Sequence, residues 1–455
     1  MALIKKHIAI VGLGSTGIAL ARFFIKRGES VVITDIATRE ALGKNVEIAE
    51  GLGVQLDLGG HTPQTFDHAD RVILSPGVPH TIAPLQRCRE KGIPVVGEIE
   101  VAFDHIQEPI IAITGTNGKT TTTRLVGDML AASGKKVFVG GNIGNPLIEY
   151  VDTELKADIV VAEISSFQLD TTVHFKPHVA VILNITEDHL DRYEKMDAYA
   201  RSKRKIVEHQ EKNDIAVLNM NDPYIHRVLG APNSQLFWFN QPRKDLQGAF
   251  VEGKTLWLNT NNKSLCTISL EQTQLIGKHN QENIAAAALS VLMSGGNQAG
   301  IQHVVNTFHG LSHRIEYVDT VNGVRFYDDS KGTNVDAVLR SLECFDAPVL
   351  LILGGRDKGG DYTVLKPQLK RCVKKVIAMG EAKDIIFQSL KGIIDISLVK
   401  SMEEAVFHAY DHSVDGDVVL MSPACSSFDC YRNYKERGTH FCNLVSELKT
   451  KIVKP

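Results

Sequence analysis

The chain lacks most features of a secreted, membrane-embedded or metal-clustered protein. Its seven cysteines form no C-x-x-C pair, which excludes the common zinc and dithiol redox motifs and favours a reducing compartment. No apolar run approaches the roughly 20 residues that span a bilayer. The start also lacks a signal-peptide core, because glycines at positions 12, 14 and 17 interrupt it. We therefore expect a cytoplasmic protein with no membrane partner.

Positive charge is not in excess either. The 50 Lys plus Arg residues stand against 53 Asp plus Glu, a formal charge of -3, so no global positive field attracts nucleic acid. Hydrophobic residues make up 43% and charged residues 23% of the chain, which is ordinary for a folded globular protein. The length of 455 residues is about three times the ~150 residues of one domain. Two or three domains are expected.

Short β-branched segments alternate with helical stretches in three successive series. They open with HIAIV at 7–11, PIIAIT at 109–114 and GVRFYDD at 323–329. This alternation predicts an α/β fold with mostly parallel sheets. Alternating, turn-rich residues between 236 and 270 predict a small antiparallel insertion.

A glycine-rich turn, Gly12-Leu13-Gly14-Ser15-Thr16-Gly17, follows the first predicted strand, and Asp35 ends the next. Glycines let the backbone approach a diphosphate, and Asp35 can accept hydrogen bonds from a sugar or base. NAD is one candidate ligand, and a tight turn without a ligand is the alternative. A second turn at Gly77 also follows a strand and is expected to line the same cleft.

The stronger motif is the loop Thr114-Gly115-Thr116-Asn117-Gly118-Lys119-Thr120-Thr121, between a strand and a helix. The usual phosphate-loop pattern requires glycine where this chain has Ile113, so the loop is a variant. Its backbone amides can bind an anion, Lys119 can neutralise the β- and γ-phosphates, and the Thr120 hydroxyl can ligate Mg²⁺. A nucleoside triphosphate site is predicted.

A metal carboxylate is expected on a neighbouring strand, and Glu163 ends one. His189, in the polar loop after the next strand, is a candidate second ligand, although an isolated loop histidine is more often only solvated. Further on, four cations at 201–205 are by themselves most simply a solvated basic helix face.

These motifs and their order resemble those of the Mur ligases, ATP-dependent amide-forming enzymes of peptidoglycan precursor synthesis. In chain order they are GxGxxG, TGTNGKTTT, EISSFQL, NITEDHLDRY, SKRKI, GKHNQEN, GLSHRIE, DDSKGTN and SPACSSFD, and they cover essentially the whole chain. DDSKGTN and SPACSSFD resemble the members that add D-glutamate. Other members typically carry a D-x-x-H-type segment where this chain has Asp329-Ser330-Lys331.

The resemblance implies three domains. They are a Rossmann-like domain at 1–98 for the UDP-substrate, a central P-loop domain at 99–310 for ATP, and a Rossmann-like amino-acid-binding domain at 311–455. The implied contacts of UDP-N-acetylmuramoyl-L-alanine are Ser15, Thr16, Asp35, Gly77, Asn142 and Ser165.

The resemblance also implies the ATP and metal ligands. The implied ATP contacts are Gly115, Thr116, Asn117, Gly118, Lys119, Thr120, Thr121, His279, Asn280, Asn283, Arg314 and Asp329. The implied Mg²⁺ ligands are Thr120, Glu163, His189 and Lys203, the last as a carbamate, an anionic oxygen ligand where an ammonium would repel the ion. Lys203 is chosen over Lys205 as the carbamate-bearing residue because it stands in a K-x-[RK]-I context. Asn280 could instead be a helix N-cap.

The implied amino-acid pocket consists of Lys331, Thr333, Lys358, Ser427 and Phe428. Lysines and hydroxyls suit an acidic amino acid. Thr333 or the next residue, Asn334, could alternatively cap the helix that follows.

The implied reaction is ATP-dependent addition of D-glutamate to UDP-N-acetylmuramoyl-L-alanine through an acyl phosphate, with Lys119, Glu163, His189 and Lys203 as the catalytic residues. A monomer fits the family. A ligase for another amino acid such as L-glutamate, an NAD-dependent dehydrogenase and a nucleotide-binding sensor without turnover are the alternatives.

Overall fold

The computed structural model describes residues 5–153, 156–188, 192–260 and 265–453. The chain divides into two compact units. The first unit is Met1–Asn184, Tyr199–Ser269 and Ile284–Val304, and the second unit is Ile185–Ala198, Leu270–Asn283 and Val305–Pro455. Of the helices in these described segments, none has both the length and the apolar character that crossing a membrane requires.

The first unit opens with a five-stranded parallel sheet. Its strands are β1 (His7–Val11), β2 (Ser30–Asp35), β3 (Gln55–Leu58), β4 (Arg71–Leu74) and β5 (Val95–Gly97). Its helices are α1 (Ser15–Lys26), α2 (Arg39–Leu42), α3 (Lys44–Gly51), α4 (Pro63–Asp67), α5 (Ala83–Glu90) and α6 (Glu98–Phe103). The strand order β3-β2-β1-β4-β5 reverses direction between β1 and β4. In parallel sheets such a reversal opens a ligand crevice at the carboxyl ends of the strands.

The same unit contains a nine-stranded sheet of order β14-β13-β12-β11-β10-β9-β6-β8-β7. Its strands are β6 (Ile110–Thr114), β7 (Val137–Gly141), β8 (Ile159–Glu163), β9 (Val179–Ile182), β10 (Ile215–Asn219), β11 (Gln235–Phe239), β12 (Gly248–Glu252), β13 (Thr255–Asn259) and β14 (Cys266–Ser269). The central strands β6, β8 and β9 are buried along their whole length, as expected for a parallel sheet covered on both faces.

Helices accompany this second series along the chain. They are α7 (Lys119–Ala132), α8 (Leu147–Asp152), α9 (Ser166–Leu169), α10 (Met196–Arg204), a 3-10 turn (Lys205–Val207), α11 (Pro223–Leu229), α12 (Lys278–Met293) and α13 (Gln298–Thr307). The helix α7 begins directly at the lysine of the predicted phosphate loop.

The second unit is built on a six-stranded sheet of order β15-β16-β20-β17-β18-β19. Its strands are β15 (Glu316–Val321), β16 (Val324–Asp328), β17 (Val349–Gly354), β18 (Val373–Met379), β19 (Ile396–Leu398) and β20 (Val418–Met421). Its helices are α14 (Val335–Leu342), a 3-10 turn (Tyr362–Leu365), α15 (Lys366–Cys372), α16 (Lys383–Leu390), α17 (Met402–Asp411) and α18 (Tyr434–Val453). Two buried hydrophobic clusters pack on this sheet. Only the β15–β16 pair is antiparallel among its described pairs.

The predicted α/β architecture with mostly parallel sheets is confirmed. Antiparallel pairing within residues 236–270 joins β12 to β13 and β13 to β14, at one edge of the nine-stranded sheet. The antiparallel prediction is wrong for β11, which pairs in parallel with β10 and β12 and so continues the parallel sheet. The domain boundaries at 98 and 310 stay a prediction.

Candidate functional site

A cavity of about 650 Å³ lies at the carboxyl ends of β1, β2 and β4, where the strand order reverses. Its lining residues are Val11, Gly12, Gly14, Ser15, Thr16, Asp35, Ile36, His61, Ser75, Pro76, Gly77, Val78, Pro79, Ile82, Gly141, Asn142, Gly144 and Pro146. Five of the six residues predicted to bind the UDP-substrate are therefore brought together here. The sixth, Ser165, is not among the lining residues, and it is the N-cap of α9 in a capping box with Gln168.

The glycine-rich turn at the start of this cavity is sterically required. A Cβ atom at Gly17 would lie 2.0 Å from the carbonyl oxygen of Gly12, so only glycine allows this close approach. The carboxylate of Asp35 accepts two hydrogen bonds from backbone amides. Oδ2 accepts from the amide of Leu13 at 2.8 Å, and Oδ1 accepts from the amide of Ala37 at 2.9 Å. Asp35 thus shapes the turn in addition to its predicted role toward a sugar or base.

The phosphate loop between β6 and α7 is held by Asn184, which follows β9. The Asn184 carbonyl oxygen accepts from the amide of Thr116 at 2.9 Å. Its side chain accepts from the amide of Asn117 at 2.8 Å and donates to the Asn117 carbonyl oxygen at 3.0 Å. We did not predict this role. The available signal was the position of Asn184 two residues after the end of β9, a buried strand next to β6.

Two lysines converge on the same loop. The Lys119 ammonium donates to the carbonyl oxygens of Gly115 and Thr116, each at 2.8 Å. Lys203, on α10, is 1% exposed and donates to the Gly115 carbonyl oxygen at 2.8 Å. Its neighbour Lys205 pairs with Asp170 at 3.5 Å and is about a third exposed. A solvated basic face is therefore the wrong interpretation for Lys203.

Tyr199 forms part of the surroundings of Lys203 and was also missed by the sequence reasoning. Its ring lies 4.6 Å from the Lys203 ammonium, and its hydroxyl is 3.2 Å from the Thr116 hydroxyl. Both side chains come from α10, four residues apart, which places them on one helix face.

Glu163 has the environment of a metal ligand. It is 2% exposed, and Oε1 accepts a hydrogen bond from the Asn142 side chain at 2.8 Å. Its other oxygen, Oε2, is buried without a hydrogen-bond partner in the described part of the chain. A buried carboxylate oxygen normally has a partner, because desolvation without one is costly. Thus a divalent cation fits here. Thr120 is the second residue of α7, and His189 lies outside the described residues.

In the second unit, the residues His279, Asn280 and Asn283 lie in the first two turns of α12. Burial, and secondarily the charge of Arg340, lowers the pKa of His279 to about 4, so its ring is neutral at physiological pH. Asn280 is the third residue of α12, and its side chain donates to the carbonyl oxygen of Ile276, which precedes the helix, at 2.8 Å. The alternative that Asn280 is an N-cap is wrong.

Asp329 follows β16 and is buried. Its Oδ2 accepts hydrogen bonds from the hydroxyls of Ser341 at 2.7 Å and Ser422 at 2.6 Å. Burial raises the pKa of Asp329 to about 6, although these hydrogen bonds and the positive charge of Arg314 favour the ionised form. The predicted ATP contacts Arg314 and Asp329 are therefore electrostatically coupled within the second unit.

The residues predicted to bind the amino-acid substrate occupy loops that follow parallel strands of the second unit. The Lys331 ammonium lies 4.2 Å from the Tyr434 ring centre. Lys358 forms a 2.8 Å ion pair with Asp188, whose other oxygen accepts from the Asn334 side chain at 3.0 Å. Asn334 caps α14, so the capping alternative is confirmed for it rather than for Thr333. Ser427 is buried and Phe428 is exposed.

A buried arginine, which the sequence reasoning missed, connects these loops. Arg437, on α18, is 2% exposed. It donates to the Ser330 hydroxyl at 2.9 Å, the Ser330 carbonyl at 2.8 Å, the Cys425 carbonyl at 3.1 Å and the Gly354 carbonyl at 3.4 Å. Burial lowers its pKa to about 10, so it stays charged at neutral pH. Thus it ties together the segments that lead to Lys331, Lys358 and Ser427.

Comparison with known proteins identifies the family. The N-terminal domain of MurD-like Mur ligases matches residues 6–97, the Mur ligase middle domain 113–291, and the glutamate ligase domain of Mur ligases 313–425. The UDP-N-acetylmuramoylalanine--D-glutamate ligase of Desulfosudis oleivorans is 48% identical over 445 residues, covering 98% of this chain and 97% of that protein. The protein of the same name from Desulfatibacillum aliphaticivorans is 47% identical, covering 97% and 98%. A pseudomurein peptide ligase type C from Methanothermus fervidus shares the fold with a TM-score of 0.62 at 20% identity, covering 98% of this chain and 100% of that one. The chain belongs to the Mur ligase family.

Proposed function

We propose that this chain is an ATP-dependent ligase that forms an amide bond between UDP-N-acetylmuramoyl-L-alanine and D-glutamate, releasing ADP and phosphate, in peptidoglycan precursor synthesis. The observation that carries this proposal is the 48% identity, over nearly the whole length of both chains, to a ligase named for these substrates. The phosphate loop and the cavity described above support it, because the reaction needs a triphosphate site and a nucleotide-sugar site in one protein.

The first step is transfer of the ATP γ-phosphoryl group to the substrate carboxylate. Lys119, at the start of α7, offsets the negative charge that spreads over the transferring oxygens, and the amino end of α7 contributes partial positive charge. Asn184 keeps the loop in shape through its three hydrogen bonds. The product of this step is an acyl phosphate and ADP.

Bound Mg²⁺ supplies further neutralisation of the phosphates. The buried and unpartnered Oε2 of Glu163 supports a ligand role, and Thr120, His189 and Lys203 would complete the set. Lys203 would serve as a carbamate. This group forms when the neutral amine adds to CO₂ and one proton is released, which replaces a cation by an anionic oxygen ligand. Asn142 orients Glu163 through its 2.8 Å hydrogen bond.

The second step is attack of the amine of D-glutamate on the activated carbonyl, after which phosphate leaves and the amide remains. Lys331, Thr333, Lys358, Ser427 and Phe428 would bind the amino acid, and His279, Asn280, Asn283, Arg314 and Asp329 would bind ATP. Cationic side chains at Lys331 and Lys358 suit the two carboxylates of glutamate. Water must be excluded from the acyl phosphate, because hydrolysis would waste ATP.

The domain limits of 1–98, 99–310 and 311–455, a monomeric state and a cytoplasmic location complete the proposal. The three matched family regions, 6–97, 113–291 and 313–425, are compatible with these limits. Use of ATP as a substrate agrees with a cytoplasmic location.

The test is phosphate release by the purified chain with ATP, Mg²⁺ and UDP-N-acetylmuramoyl-L-alanine. Three parallel reactions contain D-glutamate, L-glutamate or no amino acid. Release that requires both the nucleotide-sugar and D-glutamate supports the proposal. A preference for L-glutamate would retain the ligase chemistry but replace the amino acid. ATP binding without any release would favour a nucleotide-binding sensor.

A further inference from the structure

We propose that Glu98 is a positioning residue for the nucleotide-sugar cavity, because its buried carboxylate anchors α8 and thereby the loop 141–146 that forms one wall of the cavity. The identity of the cavity's ligand rests on the proposed function. The anchoring of the loop rests on contacts within the first unit alone.

The contact joins the first residue of α6 to the amino end of α8. Glu98 is 2% exposed, and its Oε1 accepts the backbone amide of Ile148 at 2.7 Å. The amide of Leu147, the first residue of α8, also favours the ionised form of this carboxylate and so lowers its pKa. The N-cap of α8 is Pro146, which makes no side-chain cap. Glu98 therefore supplies from a distant segment the acceptor that a helix start normally takes from its own N-cap.

Neither α8 nor the loop before it is stable by itself. The helix has six residues, fewer than an isolated helix needs to persist in water. The loop contains Gly141 with φ 101° and Gly144 with φ 63°, positive-φ conformations that favour glycine, and ordering a glycine costs more entropy than ordering other residues. The position of this wall must therefore be set by contacts with other segments.

The opposite end of the loop is tied to the predicted metal carboxylate. The amide of Asn142 donates to the Glu163 carbonyl oxygen at 2.8 Å, and its side chain donates to Oε1 at 2.8 Å. The loop between these anchors contributes Gly141, Asn142, Gly144 and Pro146 to the cavity. Loss of the Glu98 anchor would therefore loosen the wall and shift Asn142 relative to Glu163.

Glu98 is itself held in place by the segment that follows α9. The amide of Gly97 donates to the Thr171 carbonyl oxygen at 2.9 Å. A Cβ atom at Gly97 would lie 2.2 Å from the Thr171 hydroxyl oxygen, so the Thr171 side chain packs directly against the Gly97 backbone. The carboxylate thus acts from a fixed point.

Ionisation of Glu98 gives a signature that a purely structural residue would lack. Burial raises its pKa to about 7, opposed by the amides of Ile148 and Leu147, while the charge of Glu149 on α8 raises it further. The ionised carboxylate is the stronger acceptor for amides. Affinity for the nucleotide-sugar should therefore increase with pH through neutrality in the wild type and change less in Glu98→Gln.

The same helix offers a matched control. Glu100 is also 2% exposed, and it accepts the amides of Val173, His174 and Phe175 at 2.9, 2.6 and 3.2 Å. None of these residues lines the cavity. Glu100→Ala removes a comparable buried acceptor without touching the loop.

The experiment measures binding of UDP-N-acetylmuramoyl-L-alanine to the full chain by calorimetry at about pH 8, above the Glu98 pKa. Glu98→Ala should weaken binding about 10-fold, because a buried amide acceptor is lost. Glu98→Gln keeps a carbonyl acceptor, so its dissociation constant should stay within about 3-fold of the wild type. Glu100→Ala should stay within about 2-fold. Unchanged binding in Glu98→Ala, or equal weakening in Glu100→Ala, would overturn the proposal.

Hydrogen exchange without any ligand separates this proposal from the proposed function. Glu98→Ala should accelerate exchange at 141–152, and Glu100→Ala should accelerate it at 172–175 instead. If the wild type did not bind the nucleotide-sugar, the proposed function would fail while this exchange pattern still supported the anchor. Unchanged exchange at 141–152 would refute the anchor. If Glu98→Ala does not fold, the affinity for the nucleotide-sugar is measured as a function of pH in Glu98→Gln and in the wild type. Identical pH dependences in the two proteins would count against the proposal.

Discussion

Lys119 and Lys203 donate to the same acceptor, the carbonyl oxygen of Gly115, each at 2.8 Å. Two ammonium groups this close repel each other, and the carbonyl oxygens of Gly115 and Thr116 and the Tyr199 ring offset part of that repulsion. An anion between or beside them would relieve the repulsion. The pair therefore marks the position where we propose that phosphate and a carbamate act.

Replacement of Lys119 by alanine should abolish most turnover without unfolding the chain. The side chain neutralises charge that develops during phosphoryl transfer, so kcat/KM should fall about 100- to 1,000-fold. Steady-state phosphate release measures this. The matched control is Lys136→Ala, an exposed lysine beyond the carboxyl end of the same helix. A similar loss in the control would contradict the assigned role.

Glu163→Gln should weaken divalent-cation binding. The change removes the charge but keeps the size of the side chain, so Asn142 can still form its hydrogen bond. Titration of Mn²⁺ followed by paramagnetic resonance should show an affinity about 10- to 100-fold lower. Asp128→Asn, a surface acid paired with Arg124 on α7, should leave the titration unchanged. Equal Mn²⁺ affinities in wild type and Glu163→Gln would exclude Glu163 as a ligand.

A carbamate on Lys203 should be detectable directly. Incubation with isotopically labelled bicarbonate should give a carbamate carbonyl signal in the NMR spectrum of the chain, because the Lys203 amine is buried beside the phosphate loop, where we propose that the carbamate acts. Lys203→Arg keeps the charge but cannot form this group, so its spectrum should lack the signal. Identical spectra would argue that the lysine stays unmodified.

The stability of the chain should depend on the protonation of Asp329. Its pKa of about 6 in the folded state exceeds the ordinary value of 3.8. The folded chain thus binds more protons than the unfolded chain between these values. The free energy of unfolding therefore falls as pH rises from about 4 to 6, by about 3 kcal/mol for a fully buried group. Above about pH 6 this contribution no longer changes with pH. Urea unfolding should show a smaller pH slope for Asp329→Asn. An unchanged slope would mean that another group titrates.

Arg437→Met should destabilise the second unit. The change leaves three buried carbonyl oxygens and the Ser330 hydroxyl without their donor, at a cost of about 3 kcal/mol. Urea denaturation measures the loss. Arg432→Met, an exposed arginine just before the same helix, should change stability by less than about 0.5 kcal/mol. Equal midpoints for the two variants would show that the buried hydrogen bonds are energetically neutral.

Much of the site could be predicted because its residues come in local patterns. The loop 114–121 and the turn 12–17 need specific residues at adjacent positions, since backbone conformation and phosphate contact are decided within a few residues. The family and the α/β fold followed from the order of such patterns. Residues that act over long range could not be predicted in this way. Asn184 lies 67 positions from Asn117, and Arg437 lies 107 positions from Ser330.

The sequence by itself determined the fold class, the family and the residue types available for triphosphate and metal chemistry. Periodicity, glycine placement and short motifs carry that information, because they act through neighbouring residues. Only the tertiary structure decided which of four clustered cations is buried against the phosphate loop, that Glu163 has an unpartnered oxygen, and that Glu98 anchors a helix 50 positions away. These properties depend on desolvation and on contacts between distant segments. Both arise only when the parallel strands bring the loops at their carboxyl ends to one edge.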